Sequence, residues 1–462
     1  MAGFSIETFG CRAARADGEA IAGRLRTLAG GQPLTSDVVV VNTCSVTAEA
    51  DRVARAFIRR AHRRNPAARI VVTGCYAQRA PQELAGLPGV AAVVGNSHKA
   101  LAPEIIFKLA HGLVTAPPTS FLPVASLFSA STPHSAPVWA DDRFAHSFLE
   151  DLELTPGEQT RPNLKIQEGC GNRCTFCVIP LTRGPSRSLP RAAILRHVEG
   201  FVAAGGKELV LSGINLGRWG RDFSSSMGED SLAKLVRDIL TQTALPRLRL
   251  SSIEPMDWTS NLINLLRDFG GGRLARHAHL PLQSGSDAVL RRMHRRYRPW
   301  HYADKVSALF SAAGPDLTLG ADVMVGFPGE SDREFDETLA FVRKMPFGYL
   351  HLFPFSPRPG TPGWALHRVS PVPPAAREER MAALRAVAAE KAIAHRRRFV
   401  GRDLAAITLH TPETVAALGC TSALSENFLP MNLDGHFQAN QLLDVRVTGL
   451  HSDGSLAGFP SH

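Results

Sequence analysis

The chain has 462 residues, 44% of them hydrophobic, with 52 Lys and Arg against 42 Asp and Glu, a net charge of +10. That length implies two to four domains, and that composition implies a folded globular protein rather than a disordered one. The positive balance favours an anionic partner such as RNA, and the lack of an apolar run of about 18 residues argues against a membrane span.

The N-terminus, MAGFSIETFG, has no basic segment followed by an apolar stretch, so no signal peptide is expected. Through about residue 115 one pattern repeats: a short apolar strand, a cysteine just past its end, then a helical segment. Phe4–Phe9 reads as a strand, followed by Gly10-Cys11 and a helix over Arg15–Leu28. Asp37–Val41 reads as a buried strand, followed by Asn42-Thr43-Cys44 and a helix over Ala48–Arg63. Arg69–Thr73 leads to Gly74-Cys75, and Val90–Val94 leads to a helix near Lys99–His111. Strands and helices alternating at this length imply a parallel sheet, whose ligands gather beyond the carboxyl ends of the strands. Cys11, Cys44 and Cys75 all fall at that edge. They are expected to form one constellation; the alternative is three separate buried thiols.

Residues 116–161 are rich in Pro, Ser and Thr and carry the acidic Glu150, Asp151 and Glu153, which reads as a linker. A second α/β region begins near Leu164. Its strands are expected at Lys165–Gln167, Glu208–Leu211, Arg247–Ser251, His279–Leu282, Leu319–Val325 and Tyr349–Phe353. Helices such as Arg191–Ala204, Ser231–Thr241 and Asp332–Met345 lie between them. Units of this kind suggest a partial parallel barrel with its chemistry at the carboxyl ends of the strands. A helix over Pro374–Arg398 starts with Glu378 and Glu379 and ends in His395-Arg396-Arg397-Arg398, the order a helix dipole favours. Beyond Gly401 the strands Leu404–Leu409 and Leu442–Val447 and a turn at Ser452–Ser455 suggest a small antiparallel barrel-like domain, in which Cys420 is an ordinary thiol.

The most informative run is Glu168-Gly169-Cys170-Gly171-Asn172-Arg173-Cys174-Thr175-Phe176-Cys177. Seven cysteines, an odd number with three clustered, do not read as a disulfide framework and fit a reducing cytoplasm. A closed zinc site needs four ligands, whereas three thiolates suit a 4Fe–4S cluster with one iron left open. A zinc knuckle or an inert loop is the alternative.

With Phe176 before the last cysteine, this run resembles the radical S-adenosylmethionine (SAM) motif. Thr8-Phe9-Gly10-Cys11, Val41-Asn42-Thr43-Cys44, Gly74-Cys75-Tyr76-Ala77-Gln78, Pro281–Asp287 and Val325–Glu330 extend the resemblance over nearly the whole chain. It is similar to the methylthiotransferases of the radical SAM class. Lys165-Ile166-Gln167-Glu168-Gly169-Cys170 and Ser251-Ser252-Ile253-Glu254 resemble the branch acting on threonylcarbamoyladenosine in tRNA. Where the family often has Asn three residues after the first cysteine, this chain has Ala14.

The resemblance implies an α/β organisation. An N-terminal domain (1–115) carries an auxiliary cluster on Cys11, Cys44 and Cys75. A linker (116–161), a radical SAM partial barrel (162–398) and a β-rich TRAM-like domain (399–462) follow. It implies two 4Fe–4S clusters and SAM as cofactors. Cys170, Cys174 and Cys177 hold the cluster that cleaves SAM to a 5′-deoxyadenosyl radical, and a methylthio group is added to carbon 2 of the adenine. The implied partners are the tRNA anticodon stem-loop, a low-potential electron donor such as flavodoxin and a sulfur donor, for a monomer in the cytoplasm. Gly213 and Ile214 are expected along the SAM amino acid, or in a strand-ending turn. Glu254 and Gln283 are expected to bind SAM or substrate, or to be satisfied structural groups. Gly326–Gly329 shapes the adenine pocket or makes a common turn. Arg183 is placed to meet an anion. Arg291, Arg292, Arg295, Arg296 and Arg298 form either a phosphate contact or a solvated helix face. The other branches, acting on isopentenyladenosine or on a ribosomal-protein aspartate, stay open, as does a non-catalytic metal-containing RNA-binding protein.

Overall fold

The computed structural model describes residues 3–30, 37–113, 135–144, 160–223 and 231–461. The linker expected over 116–161, with Glu150, Asp151 and Glu153, lies largely outside the described residues. Contacts divide the chain into two compact units. One draws on Met1–Glu153, Glu168–Arg187 and Ser356–Thr361, and the other on Leu154–Gln167, Ser188–Phe355 and Pro362–His462.

The first unit is built on a parallel sheet in the order β1 (Phe4–Thr8), β2 (Val38–Thr43), β3 (Arg69–Gly74), β4 (Val90–Gly95), β5 (Val138–Trp139). The valine run of β2 forms a strand because both faces are covered. Val38 and Val40 pack with Ile21, Leu25 and Ile106 on one side, and Val41 packs with Ala54, Ile58 and Tyr76 on the other. Helix Ala48–Arg64 starts where the Thr47 side chain accepts from the Ala50 amide; Glu49 and Asp51 lie in its first turn and His62, Arg63 and Arg64 in its last.

The second unit carries β6 (Asn163–Glu168, its last residue falling in the first unit), the two-residue β7 (Arg187–Ser188, its first residue falling in the first unit), β8 (Glu208–Gly213) and β9 (Arg247–Leu250), in the order β7-β6-β8-β9. A second sheet has the order β10 (His277–His279), β11 (Thr318–Val325), β12 (Phe347–Pro354). A parallel bridge between Leu248 and Leu274 and the bond from the Ile253 amide to the His279 carbonyl (3.1 Å) join the two into a partial barrel. The strand expected at His279–Leu282 is His277–His279, and it ends ahead of Pro281, which has no amide to give to the ladder. The chain continues beside β11 irregularly: the Leu282 and Gln283 amides both donate to the Asp322 carbonyl, at 3.1 and 2.7 Å.

The C-terminal part is a closed barrel of β13 (Asp403–Thr408), β14 (Cys420–Ser425), β15 (Pro430–Asp434), β16 (Leu442–Leu450) and β17 (Leu456–Pro460). It departs from the expected all-antiparallel pattern in one pair, β15 with β17, which is parallel. Its Ser425–Phe428 turn docks on the amino ends of the half-barrel strands. Glu426 accepts from the Arg276 amide (2.9 Å) and guanidinium (2.7 Å), and Asn427 donates to the Asp316 carbonyl (3.0 Å). Phe428 stacks on His277 with ring centroids 4.3 Å apart. That end of the half barrel is therefore plugged, leaving the carboxyl ends of the strands for chemistry. No helix among the described residues is long and apolar enough to cross a membrane.

Candidate active site

In the first unit, register places three cysteines side by side. Thr8 pairs with Asn42, Thr43 with Gly74 and Gly74 with Gly95, so β1, β2 and β3 end together and deliver Cys11, Cys44 and Cys75 to one edge. Cys11 immediately precedes helix Arg12–Ala29, and Cys75 opens helix Cys75–Arg79. Cys44 and Cys75 are buried and Cys11 is exposed. Burial first, then the neighbouring Cys75 and Cys11 thiolates, push the Cys44 thiol up to about 12. A thiolate at Cys44, buried beside Cys75 and Cys11, therefore calls for a compensating cation.

The same unit holds Cys170, Cys174 and Cys177 on the loop after β6. Gly169 lets that loop form. Its φ is +71°, and a Cβ there would sit 1.9 Å from the Pro185 carbonyl oxygen. Cys170 donates its amide to the Gly184 carbonyl (3.1 Å), the Cys177 amide donates to the Cys174 carbonyl (3.1 Å), and the Asn172 amide approaches the Cys170 sulfur at 3.4 Å.

Arg183 meets its anions inside the fold. It is fully buried, and its guanidinium donates to Glu168 (2.6 Å), Asp17 (3.1 Å) and the Cys75 sulfur (3.3 Å). Burial pulls its pKa down, but Cys75, Glu168 and Asp17 together raise it well above the usual arginine value. Lys99 pairs with the same Asp17 carboxylate at 2.6 Å. Asn96, just past β4, donates to the Cys75 sulfur at 3.4 Å. Sequence reasoning missed Asp17, Asn96 and Lys99. For Asn96 the signal was available, since it follows a strand at the same edge as the cysteines.

In the second unit, Gly213 ends β8 and Ile214 follows; the Gln167 side chain accepts from the Asn215 amide at 2.6 Å and fixes this turn. Glu254 pairs with Arg295 at 2.5 Å. Gln283 is held at φ +64°, and its buried Oε1 has no partner among the described residues. Ser212 Oγ at the end of β8 and Ser251 Oγ just past β9 are likewise buried and unbonded. Gly326 donates to Glu330 (2.9 Å), which pairs with Arg380 (2.8 Å), and buried Phe327 meets Phe355 edge-on.

The basic run is not a single helix face, and each of its arginines has a carboxylate partner. Arg291 and Arg298 pair with Asp287, Arg292 with Glu334, Arg295 with Glu254 and Arg296 with Asp257. Only Asp287–Arg292 is helical before the chain turns into the helix Pro299–Ala313.

A family model described as uncharacterized protein family UPF0004 matches residues 3–95, and one described as radical SAM superfamily matches residues 164–342. A Bacillus subtilis (strain 168) protein named threonylcarbamoyladenosine tRNA methylthiotransferase MtaB is 38% identical over 368 residues, covering 78% of this chain and 75% of that protein. The chain belongs to the radical SAM methylthiotransferase family. A Thermotoga maritima protein of the same name is 32% identical over 98% of this chain and 96% of its own length. A tRNA-2-methylthio-N(6)-dimethylallyladenosine synthase of Bacillus cereus (strain AH187) is 31% identical over 96% of this chain and 83% of its own length. Methylthiotransferases of this class use 4Fe–4S clusters and SAM, and the residues present fit both. Two sets of three thiols are the donor sets that iron–sulfur clusters take. The orphaned Ser212, Ser251 and Gln283 atoms at the strand ends are buried polar groups that the amino-acid and ribose parts of SAM would satisfy.

Proposed function

We propose that this chain transfers a methylthio group to carbon 2 of N6-threonylcarbamoyladenosine beside the anticodon of tRNA. The observation that carries this reading is the gathering of Cys11, Cys44 and Cys75 at one sheet edge, in the same compact unit as Cys170, Cys174 and Cys177. Cys170, Cys174 and Cys177 would hold the cluster that takes SAM, and Cys11, Cys44 and Cys75 the auxiliary one. Bound there, these groups supply the electron that cleaves SAM and the site at which sulfur is delivered.

The chain's own residues position and insulate. Arg183 and Asn96 hold the Cys75 sulfur, and Arg183 also fixes Glu168, two residues before Cys170. The Gly213-Ile214 main chain and the Ser212, Ser251 and Gln283 side chains offer hydrogen-bonding atoms at the strand ends. Glu254, oriented by Arg295, stands beyond β9 as a second polar anchor. A radical is needed because the adenine C–H is too strong and too weakly acidic for a side-chain base.

The relatives named for threonylcarbamoyladenosine, with the Lys165–Cys170 run, support this base over isopentenyladenosine. A low-potential electron donor such as flavodoxin, a sulfur donor, a cytoplasmic setting and a monomeric state complete the proposal, with domains divided near residues 115, 161 and 398. Mass spectrometry of tRNA nucleosides tests it. A strain lacking this chain accumulates threonylcarbamoyladenosine and loses its 2-methylthio derivative, restored by the intact chain but not by Cys44→Ala. Loss of the methylthio isopentenyl derivative instead would contradict the substrate assignment.

A further inference from the structure

One polar cluster in the second unit draws on none of the six cysteines. From Gly320 on, alternation along β11 puts Ala321 and Val323 on one face and Gly320 and Asp322 on the other. On the Asp322 side, register sets His279 beside Gly320, Gly320 beside Tyr349, and Asp322 beside His351. Gly320 is required here, since a Cβ would lie 2.1 Å from Tyr349 Cζ. The tyrosine ring therefore lies across β11, and its hydroxyl reaches His277 Nε2 (2.8 Å) and His279 Nδ1 (3.5 Å).

One step further along the strands, the ligand atoms of His279, Asp322 and His351 all lie within 4.8 Å of one another. His279 Nε2 is 3.2 Å from Asp322 Oδ1, yet it is buried and makes no hydrogen bond among the described residues. The side chains of His279 and Asp322 are 12% and 26% exposed, and His351 is exposed, so the cluster opens towards His351. Beyond it the Asp322 carbonyl holds Gln283, whose Oε1 is also buried and unbonded. Each such buried, unmet polar atom costs about 1–3 kcal/mol, a cost that a polar ligand would remove.

We propose that His279, Asp322 and His351 recognise the threonylcarbamoyl group of the substrate nucleoside, an inference that rests on the substrate reading above. That group carries a carboxylate, a hydroxyl and ureido N–H groups. Imidazole N–H donors from His279 and His351 suit the carboxylate, and the Asp322 carboxylate accepts from the hydroxyl or a ureido N–H. A prenyl chain in the same place would offer the buried, unbonded His279 Nε2 no polar group. Sites built to hydrogen-bond a group discriminate strongly against analogues that lack it.

The test uses the full-length, anaerobically reconstituted protein and anticodon stem-loop RNAs. The RNAs differ only in the target base: threonylcarbamoyladenosine, dimethylallyladenosine or plain adenosine. The isosteric Asp322→Asn and the truncating His351→Leu are compared with the intact protein, with iron content and circular dichroism as folding controls. The expected result is that each variant binds the threonylcarbamoyl RNA about tenfold or more weakly. Affinity for the adenosine RNA stays within about twofold, so discrimination is lost. Variants that keep the discrimination overturn the proposal. So does a third metal, bound in equimolar amount and lost in His351→Leu, which would make the cluster a metal site. An intact protein that prefers the dimethylallyl RNA refutes the underlying substrate reading instead.

Discussion

Arg183 ties the Cys75 sulfur to two buried carboxylates. Four buried charges meet here, Asp17, Glu168, Lys99 and Arg183, and Arg183 donates its Nε–H to the Cys75 sulfur. Removing it leaves two buried carboxylates with one lysine, a loss of about 3–5 kcal/mol for an uncompensated buried charge. Arg183→Gln is therefore expected to lower the melting temperature of the reconstituted protein markedly and to shed iron from the auxiliary site first. Arg183→Lys keeps the charge but cannot span three acceptors, and falls between. An unchanged melting temperature in Arg183→Gln would reject the network. At this scale the sequence was legible where chemistry has a spacing. Cys170, Cys174 and Cys177 are local, and Cys11, Cys44 and Cys75 repeat a strand-end position. Arg183 was recognisable as a residue awaiting an anion, but its partners are 15, 108 and 166 positions away, and only folding makes them neighbours. His279, Asp322 and His351 escaped notice for the same reason, since strand pairing alone brings them together.

At the scale of elements, strands and helices were readable to within a few residues where a strand is an apolar run covered by helices, as at Val38–Thr43 and Arg69–Gly74. The exceptions have local causes. Pro281 and the left-handed Gln283 cut β10 short, and the strand at Cys420–Ser425 is carried by small and polar residues with little apolar alternation. The long helix Pro374–Arg397 shows a pH-sensitive joint. Its His395 is buried and shares a 2.9 Å hydrogen bond with Thr318 on β11. Burial first, then Arg398 and Arg396, lower its pKa from 6.5 to about 4. The folded state keeps it neutral, while the unfolded chain takes a proton below about 6.5. Its contribution is thus complete above pH 6.5 and is lost as the pH falls towards 4, about 2 kcal/mol of it by pH 5. Urea midpoints at pH 7 and pH 5 should drop less for His395→Gln than for the intact protein. An equal drop in both would show that His395 does not carry the acid sensitivity.

On the scale of the whole molecule, the +10 charge pointed to RNA, but the sequence could not say which arginines are available. The run Arg291–Arg298 was read as a phosphate contact or a solvated helix face, and its arginines pair with Asp287, Glu334, Glu254 and Asp257. Glu426, Asn427 and Phe428 of the C-terminal barrel are likewise committed to the half barrel. tRNA affinity should still fall with salt, because the chain is basic. Replacing Arg291 and Arg296 with Gln should leave the slope of that dependence unchanged. A slope reduced by about two in the double variant would restore them as phosphate contacts.

The central claim is that two sets of three cysteines hold two clusters with different tasks. Iron analysis and electron paramagnetic resonance of the anaerobically reconstituted protein, with and without SAM, test it most directly. The intact chain should hold about eight irons as two 4Fe–4S clusters, with SAM perturbing the signal of one. Replacing Cys170, Cys174 and Cys177 by Ala should leave about half the iron, remove the SAM-sensitive signal and abolish 5′-deoxyadenosine formation. Replacing Cys11, Cys44 and Cys75 should also halve the iron but keep that signal and the cleavage. Continued SAM cleavage in the first variant, or a full complement of iron in either, would contradict the account.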